Sequence, residues 1–188
     1  MLALVLALSI QAKSLVHGGL TYEVRIDRKA ERPLQVWRGG HKLAEALLKR
    51  FHPWSLQIAD VDGDDVDEIA VGVTKPTPNL PFPHRTLFIM RFDGTKIWRK
   101  WAGSTMGRPL LEYCFGPKTH GQPQLLFTLE KQLDGQVALA ANRWSGFGFR
   151  KVGTQRAWPH ASGLHCVADK LIVVINHRNV AVPWKSLQ

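Results

Sequence analysis

The feature that most constrains this chain is a repeat of about 50 residues. The turn glycines Gly40, Gly94 and Gly146 lie 54 and 52 positions apart, and each follows an apolar segment. Glycine supplies the positive φ that tight hairpin turns need. Each repeat is therefore predicted to be a hairpin-based sheet, and such a sheet must stack on its neighbours to bury both faces.

A second alignment gives nearly the same period. Residues 60–71 overlay residues 116–127 without a gap, at an offset of 56 positions. A third, shortened copy lies at residues 166–174, where the loop is reduced to a turn around Asp169 and Lys170. Four strands in about 50 residues are typical of a β-propeller blade. We therefore predict an all-β fold, a small or partial β-propeller of about four blade-like antiparallel sheets in one domain, residues 20–188.

Alternating apolar and polar residues predict the strands of these sheets. Residues 42–51 have helical propensity, but the repeat makes them a strand. Residues 74–84 carry four prolines, which cannot donate to a ladder, so we expect a long exposed loop and a candidate recognition surface there. The other predicted strands are residues 20–26, 34–37, 85–92, 95–101, 110–115, 125–129, 137–141, 164–167, 171–175 and 180–184.

The chain of 188 residues holds fewer than four full repeats. The first repeat lacks an obvious first strand, and the last stops after its third. Two arrangements follow from this count. Either a very small propeller closes with incomplete blades, or the chain is an open unit that pairs with another copy as a homo-oligomer.

An acidic loop, residues 60–68, precedes the β-branched run at residues 69–73 and has carboxylates at its positions 1, 3, 5 and 9. Calcium takes six to eight oxygen ligands at about 2.3–2.6 Å, and alternating carboxylates on a tight loop can converge on one ion. An EF-hand is excluded, because it needs Gly and Glu where this chain has Asp65 and Val71. The loop therefore predicts calcium, and the alternative is an acidic turn held by local hydrogen bonds and water.

The acidic loop and the strand after it resemble the FG-GAP or VCBS-type repeat of integrin-α-like β-propellers. In that family the loop joins the first two strands of a blade and holds calcium. The resemblance implies that the ligands are the side chains of Asp60, Asp62, Asp64 and Glu68 and the carbonyl of Val66. Asp65 stands where the family usually has glycine, although aspartate tolerates the left-handed region better than most residues.

The second copy of the loop has lost these ligands. Lys118, His120 and Gln124 stand where the first copy has Asp62, Asp64 and Glu68. An ammonium and an imidazole cannot serve a cage of hard oxygen ligands. We therefore predict a single metal site, beside a second loop that keeps the shape without the ion.

The N-terminal segment, residues 1–12, has features that indicate in which cellular compartment the protein functions. Its apolar run is too short to span a bilayer and has the length of a signal-peptide core, with Ala12 as a cleavage point. No Lys or Arg precedes the run, so an apolar strand is the alternative. The export signal predicts a secreted, periplasmic or cell-envelope protein. The two cysteines, Cys114 and Cys166, are too few for a disulfide scaffold, so we expect two buried thiols. The alternative is a single bridge, because the two residues lie at similar points of successive repeats.

The net charge of +10 predicts attraction to polyanions, but the cations are scattered along the chain. Zinc-helix, phosphate-loop and dinucleotide motifs are absent from the sequence. Cys166 and His165 are adjacent on a strand and point to opposite faces, so they cannot form a dyad. The sequence therefore predicts a non-catalytic, exported, calcium-stabilised module that binds a protein or glycan. The alternatives are a polysaccharide-acting enzyme on the same scaffold and a basic polyanion-binding protein.

Overall fold

The computed structural model describes residues 10–104, 107–168 and 170–187. These residues form fifteen strands in four antiparallel sheets, each built from consecutive strands. The four sheets are arranged as a four-bladed β-propeller, which confirms the predicted fold class.

Sheets 1 and 2 each have four strands in chain order, and a short 3₁₀ helix, Lys49–Phe51, lies between them. The strands of sheet 1 are β1 (Gln11–His17), β2 (Leu20–Ile26), β3 (Leu34–Arg38) and β4 (His41–Ala46). The strands of sheet 2 are β5 (Ser55–Ala59), β6 (Glu68–Thr77), β7 (Leu80–Phe92) and β8 (Ile97–Trp101).

Sheet 3 also has four strands, whereas sheet 4 has three in the described part of the chain. The strands of sheet 3 are β9 (Leu110–Phe115), β10 (Leu126–Lys131), β11 (Val137–Trp144) and β12 (Phe149–Trp158). The strands of sheet 4 are β13 (Ala161–Val167), β14 (Lys170–Ile175) and β15 (Arg178–Pro183), followed by a 3₁₀ helix, Trp184–Leu187.

The hydrophobic core consists of three clusters, one at each junction between consecutive sheets. Neighbouring residues of a strand point to opposite faces, and the middle sheets use this to bury both sides. On β10, Leu126 packs towards sheet 2 and Phe127 towards sheet 4. On β6, Val71 packs towards sheet 1 and Ala70 towards sheet 3. Among the described residues, no such cluster joins sheet 4 to sheet 1.

Sheet 1 contains a first strand that the sequence did not suggest. Strand β1 pairs with β2 along its whole length, and Ala12, the predicted cleavage point, lies opposite Arg25. Residues 1–9 of the predicted leader lie outside the described residues. The predicted strand at residues 42–51 is partly right, because β4 ends at Ala46 and the 3₁₀ helix follows.

The prediction of a long loop at residues 74–84 is wrong. Strands β6 and β7 continue through it as a hairpin, with Thr77 opposite Leu80 at its tip and an irregularity in register beside Pro76. Strand β8 pairs only with the end of β7 from Ile89 onwards, so the outer edge of β7 needs no donors near its prolines. Prolines are tolerated on an unpaired edge and at a bulge, which is why the hairpin survives.

Cys114 on β9 and Cys166 on β13 form a disulfide, with their Cα atoms 5.8 Å apart. The bridge links sheet 3 to sheet 4, so the two free thiols that the sequence favoured are not present. The equivalent positions of the cysteines in successive repeats were the correct signal. Neighbouring first strands lie side by side in a propeller, and this brings the two residues together.

Candidate calcium site and ligand cleft

The acidic loop, residues 60–68, joins β5 to β6 as predicted. It folds around the buried carboxylate of Asp60, which accepts the N–H of Gly63 and of Asp65, both at 2.8 Å. Gly63 and Asp65 both have positive φ, at 80° and 64°. Asp65 therefore adopts the left-handed conformation that the departure from the family pattern required.

Three of the five predicted ligands converge. One carboxylate oxygen from each of Asp60, Asp62 and Glu68 lies within 4.8 Å of the others. Asp64 does not join this group; it accepts the N–H of Val66 at 3.0 Å and pairs with Arg91. The structure thus brings together the first, second and last of the predicted ligands, whereas Asp64 contacts Arg91 instead.

Two basic side chains from β7 and β8 reach the acidic loop. Lys100 pairs with Asp62 and lies 2.7 Å from Glu68, while Arg91 pairs with Asp64 and lies 3.5 Å from Glu68. Sequence reasoning missed both cations. They follow the loop by more than 20 residues, and only the register of β7 and β8 places them beside it.

The pKa values of Glu68 and Asp64 shift in opposite directions. Burial raises the pKa of Glu68 above its ordinary value, and the hydrogen bond from Lys100 only partly opposes it. Burial also acts to raise the pKa of Asp64, but the bonds from Arg91 and the Val66 N–H outweigh it and lower the pKa. Asp62 keeps one buried oxygen, Oδ1, without a hydrogen-bond partner among the described residues.

The three converging carboxylates could hold a cation. Asp60, Asp62 and Glu68 offer hard oxygen atoms, and the unpartnered Asp62 oxygen is a ligand atom that needs no release from another bond. Lys100 would compete with a bound ion for Asp62 and Glu68, because its ammonium already pairs with both carboxylates. These three acids would hold the ion, and the ion would supply the charge that crowded carboxylates require.

The second copy of the loop, residues 116–125, packs directly against the first. Lys118 lies 2.7 Å from the Asp67 carboxylate and donates to the carbonyl of Asp65 at 3.1 Å. His120 lies 2.7 Å from the Asp65 carboxylate. Lys118 and His120, which align with Asp62 and Asp64 in the repeat, therefore both contact carboxylates of the acidic loop.

Backbone bonds fix the same contact. Gln124 accepts the N–H of Asp60 at 2.6 Å through its side chain, and its own N–H donates to the Asp60 carbonyl at 2.9 Å. Gly63 lies against Pro123, where an added Cβ would approach the proline nitrogen to 2.6 Å. The two loops are thus one structural unit between sheets 2 and 3.

A separate cleft of about 720 Å³ lies where the first three sheets meet. Its lining comes from the β2–β3 connection, the 3₁₀ segment before β5, strand β7 and the start of β9. The lining residues are Arg28, Pro33, Lys49, His52, Pro53, Trp54, Ser55, Arg85, Leu111 and Glu112. Sequence reasoning did not predict this cleft, because its parts are far apart in the chain.

Trp54 forms a fixed wall of the cleft. Its indole N–H donates to the Val73 carbonyl at 3.1 Å, and its ring meets Tyr113 edge to face. Gly72 lies under the ring so closely that an added Cβ would approach it to 2.6 Å. Arg85 covers the ring at 4.9 Å from its centroid, and a rigid aromatic platform therefore carries a guanidinium.

Other sequence candidates are outside both regions. Cys166 is bridged and cannot act as a nucleophile, which agrees with the rejection of the Cys–His pair. Within residues 10–104, 107–168 and 170–187, no helix has the length and apolar character needed to cross a membrane.

No family model, curated protein or solved structure matches this chain. Its class is therefore defined by the fold alone, a four-bladed β-propeller. The resemblance of its acidic loop to the FG-GAP and VCBS repeats stays a prediction.

Proposed function

We propose that this chain is a non-catalytic, exported, calcium-stabilised propeller module that binds a protein or glycan ligand through the cleft beside Trp54. The observation that carries the binding function is the cleft itself. Its volume of about 720 Å³ lies within the range of about 300–1,000 Å³ that ligand sites occupy. It also lies on a rigid scaffold, where three sheets meet.

The chemistry of the cleft favours binding over catalysis. Glu112 is the one carboxylate among its described lining residues. Its two oxygens accept the N–H groups of Gly163 and Leu164 at 2.8 and 2.7 Å. A carboxylate held in this way joins β9 to β13. The described lining residues include no second carboxylate, whereas glycoside hydrolysis ordinarily uses a pair.

Calcium is proposed to stabilise the acidic loop, in keeping with its resemblance to the FG-GAP and VCBS repeats. The support is the convergence of Asp60, Asp62 and Glu68 and the unpartnered oxygen of Asp62. Export is supported by the bridge between Cys114 and Cys166, since disulfides persist in oxidising compartments such as the periplasm and the cell exterior.

The binding function is tested by a thermal-shift screen of oligosaccharides and secreted peptides against the full chain. A ligand that binds only the native state must raise the melting temperature, Tm. Hydrogen exchange with mass spectrometry then locates the ligand. We expect protection of residues 49–55 and 110–115. Protection confined to other strands, or turnover of the ligand at the cleft, would contradict the proposal.

A further inference from the structure

The cleft beside Trp54 carries three basic side chains, Arg28, Lys49 and Arg85. We propose that this cleft binds the anionic group of a small acidic saccharide, a carboxylate or sulfate, with Arg85 as the principal contact. The inference rests on the proposed function and names the ligand class of the same site. It does not depend on calcium.

Arg85 is held in place without a neutralising partner. Its guanidinium lies over the Trp54 ring and donates to the Leu111 carbonyl at 3.2 Å. Arg85 forms no ion pair with a carboxylate among the described residues, and its side chain is exposed. A guanidinium has five N–H donors, so several can reach a ligand. The positive charge is therefore oriented before a ligand arrives.

Arg28 adds a second oriented guanidinium to the lining. It donates to the carbonyls of Pro53 and Trp54 at 3.0 and 2.9 Å. These bonds fix the segment that carries Trp54. Planar guanidinium groups match the geometry of carboxylate, sulfate and phosphate oxygens, which makes an anion the natural ligand.

Lys49 supplies the third charge at the edge. It pairs with Glu31 at 2.8 Å, and both side chains are largely exposed. Exposed pairs of this kind contribute little stability, so an incoming anion can exchange with Glu31 at small cost. Glu112 is the one carboxylate among the described lining residues, so it can offset only one of the three positive charges, and N–H groups from β13 hold both of its oxygens.

The aromatic surface disfavours a single-stranded nucleic acid. Single-stranded nucleic acids need open aromatic faces on which bases stack. Trp54 has Arg85 over its ring and Gly72 packed against it, so it offers no such face. The cleft is also a bounded concavity, of a size suited to a few sugar rings.

The test measures binding of trigalacturonate and of neutral maltotriose by titration calorimetry, using the full chain. The variants are Arg85→Gln and, as the matched control, Arg99→Gln. Arg99 is also exposed and also lies over an aromatic ring, that of Phe88 at 5.4 Å, but it is on β8 outside the cleft. Circular dichroism and the melting temperature confirm that each variant is folded.

We expect trigalacturonate to bind more tightly than maltotriose, and R85Q to weaken it about tenfold or more while R99Q leaves it unchanged. Equal losses in the two variants would assign the binding to diffuse surface charge and overturn the inference. Tighter binding of a single-stranded oligonucleotide through Arg85 would also overturn it. A neutral ligand that binds the cleft equally well in R85Q would overturn the anionic ligand while leaving the proposed binding function intact.

Discussion

Lys118 lies 2.7 Å from the carboxylate of Asp67, across the contact between two equivalent loops of neighbouring sheets. In the repeat alignment Lys118 takes the place of Asp62. Asp67, Asp60 and Asp65 raise the pKa of this lysine, although its burial acts in the opposite direction. The second loop is therefore an electrostatic partner of the acidic loop.

An acid at position 118 should destabilise the protein. Lys118→Asp adds a carboxylate to the acidic loop and removes its partner, so we expect a loss of about 1–2 kcal/mol in the free energy of unfolding. Lys118→Ala should cost less, about 0.5–1 kcal/mol, since the pair is partly exposed. Urea unfolding measures both. Lys13→Ala, at an exposed lysine of β1, is the control. A K118D protein as stable as this control would show that Lys118 does not stabilise the contact between the two loops.

Gly63, the one glycine of the acidic loop, should be more sensitive to substitution than Gly121 of the second loop. Gly63→Ala combines a positive φ of 80° with a clash against the backbone of Pro123 at 2.6 Å, so we expect a loss of about 3 kcal/mol. Gly121→Ala separates the two causes, because Gly121 has a φ of 65° and open space around it. It should lose about 1 kcal/mol. Chemical denaturation curves of equal midpoint for the two variants would show that the loops do not pack as described.

Reducing the disulfide should loosen sheet 4 from sheet 3. The bridge closes a segment of 52 residues between Cys114 and Cys166, and such bridges contribute about 2–4 kcal/mol. We expect dithiothreitol to lower the melting temperature of the wild type. The double variant C114A/C166A should melt at the reduced value with or without dithiothreitol. Identical melting of oxidised and reduced wild type would contradict this.

The turn after β7 should show a defined acid dependence. Asp93 accepts the N–H groups of Lys96 and Thr95 and the Thr95 hydroxyl, and these bonds lower its pKa from 3.8 to about 2. A lowered pKa in the folded state gives stability that is present above about pH 4 and is lost as the pH falls towards 2. The difference in Tm between wild type and Asp93→Asn should therefore be constant near neutrality. It should disappear as the pH falls from about 4 to about 2. A difference that persists at pH 2 would exclude the carboxylate as its source.

The repeat period and the turn glycines were sufficient to predict the propeller. They constrain local geometry, and each sheet here is built from consecutive strands. Strand β1 was missed because its apolar neighbours at residues 2–10 resemble an export signal. The hairpin at residues 74–84 was missed because of its prolines. A proline interrupts a strand only where its missing N–H would have joined the ladder, and the sequence does not show which edge of β7 is paired.

The candidate sites were predictable in part for a similar reason. Asp60, Asp62 and Glu68 converge because the acidic loop is short and closes on itself through Asp60. The cations Arg91 and Lys100 reach that loop from other strands, and Arg85 reaches Trp54 across the sheet. Such contacts depend on strand register and sheet order, and no local pattern specifies them.

Calcium binding at the acidic loop can be separated from a general ion effect by matched variants. Asp62→Ala removes a proposed ligand with the unpartnered oxygen, whereas Asp134→Ala removes an aspartate that caps a turn in sheet 3. Lys100→Met removes the internal competitor for Asp62 and Glu68. We expect a larger calcium response than wild type in K100M, an unchanged response in D134A and none in D62A.

The most direct measurement is the melting temperature of the wild type in excess calcium and in excess chelator. At a calcium concentration of about one hundred times the Kd, the account predicts a rise of about 5–10 °C, which Asp62→Ala abolishes. Equal melting temperatures in calcium and in chelator would contradict it, and the protein's own cations, Lys100, Arg91 and Lys118, would then balance the charge of the acidic loop without a metal ion.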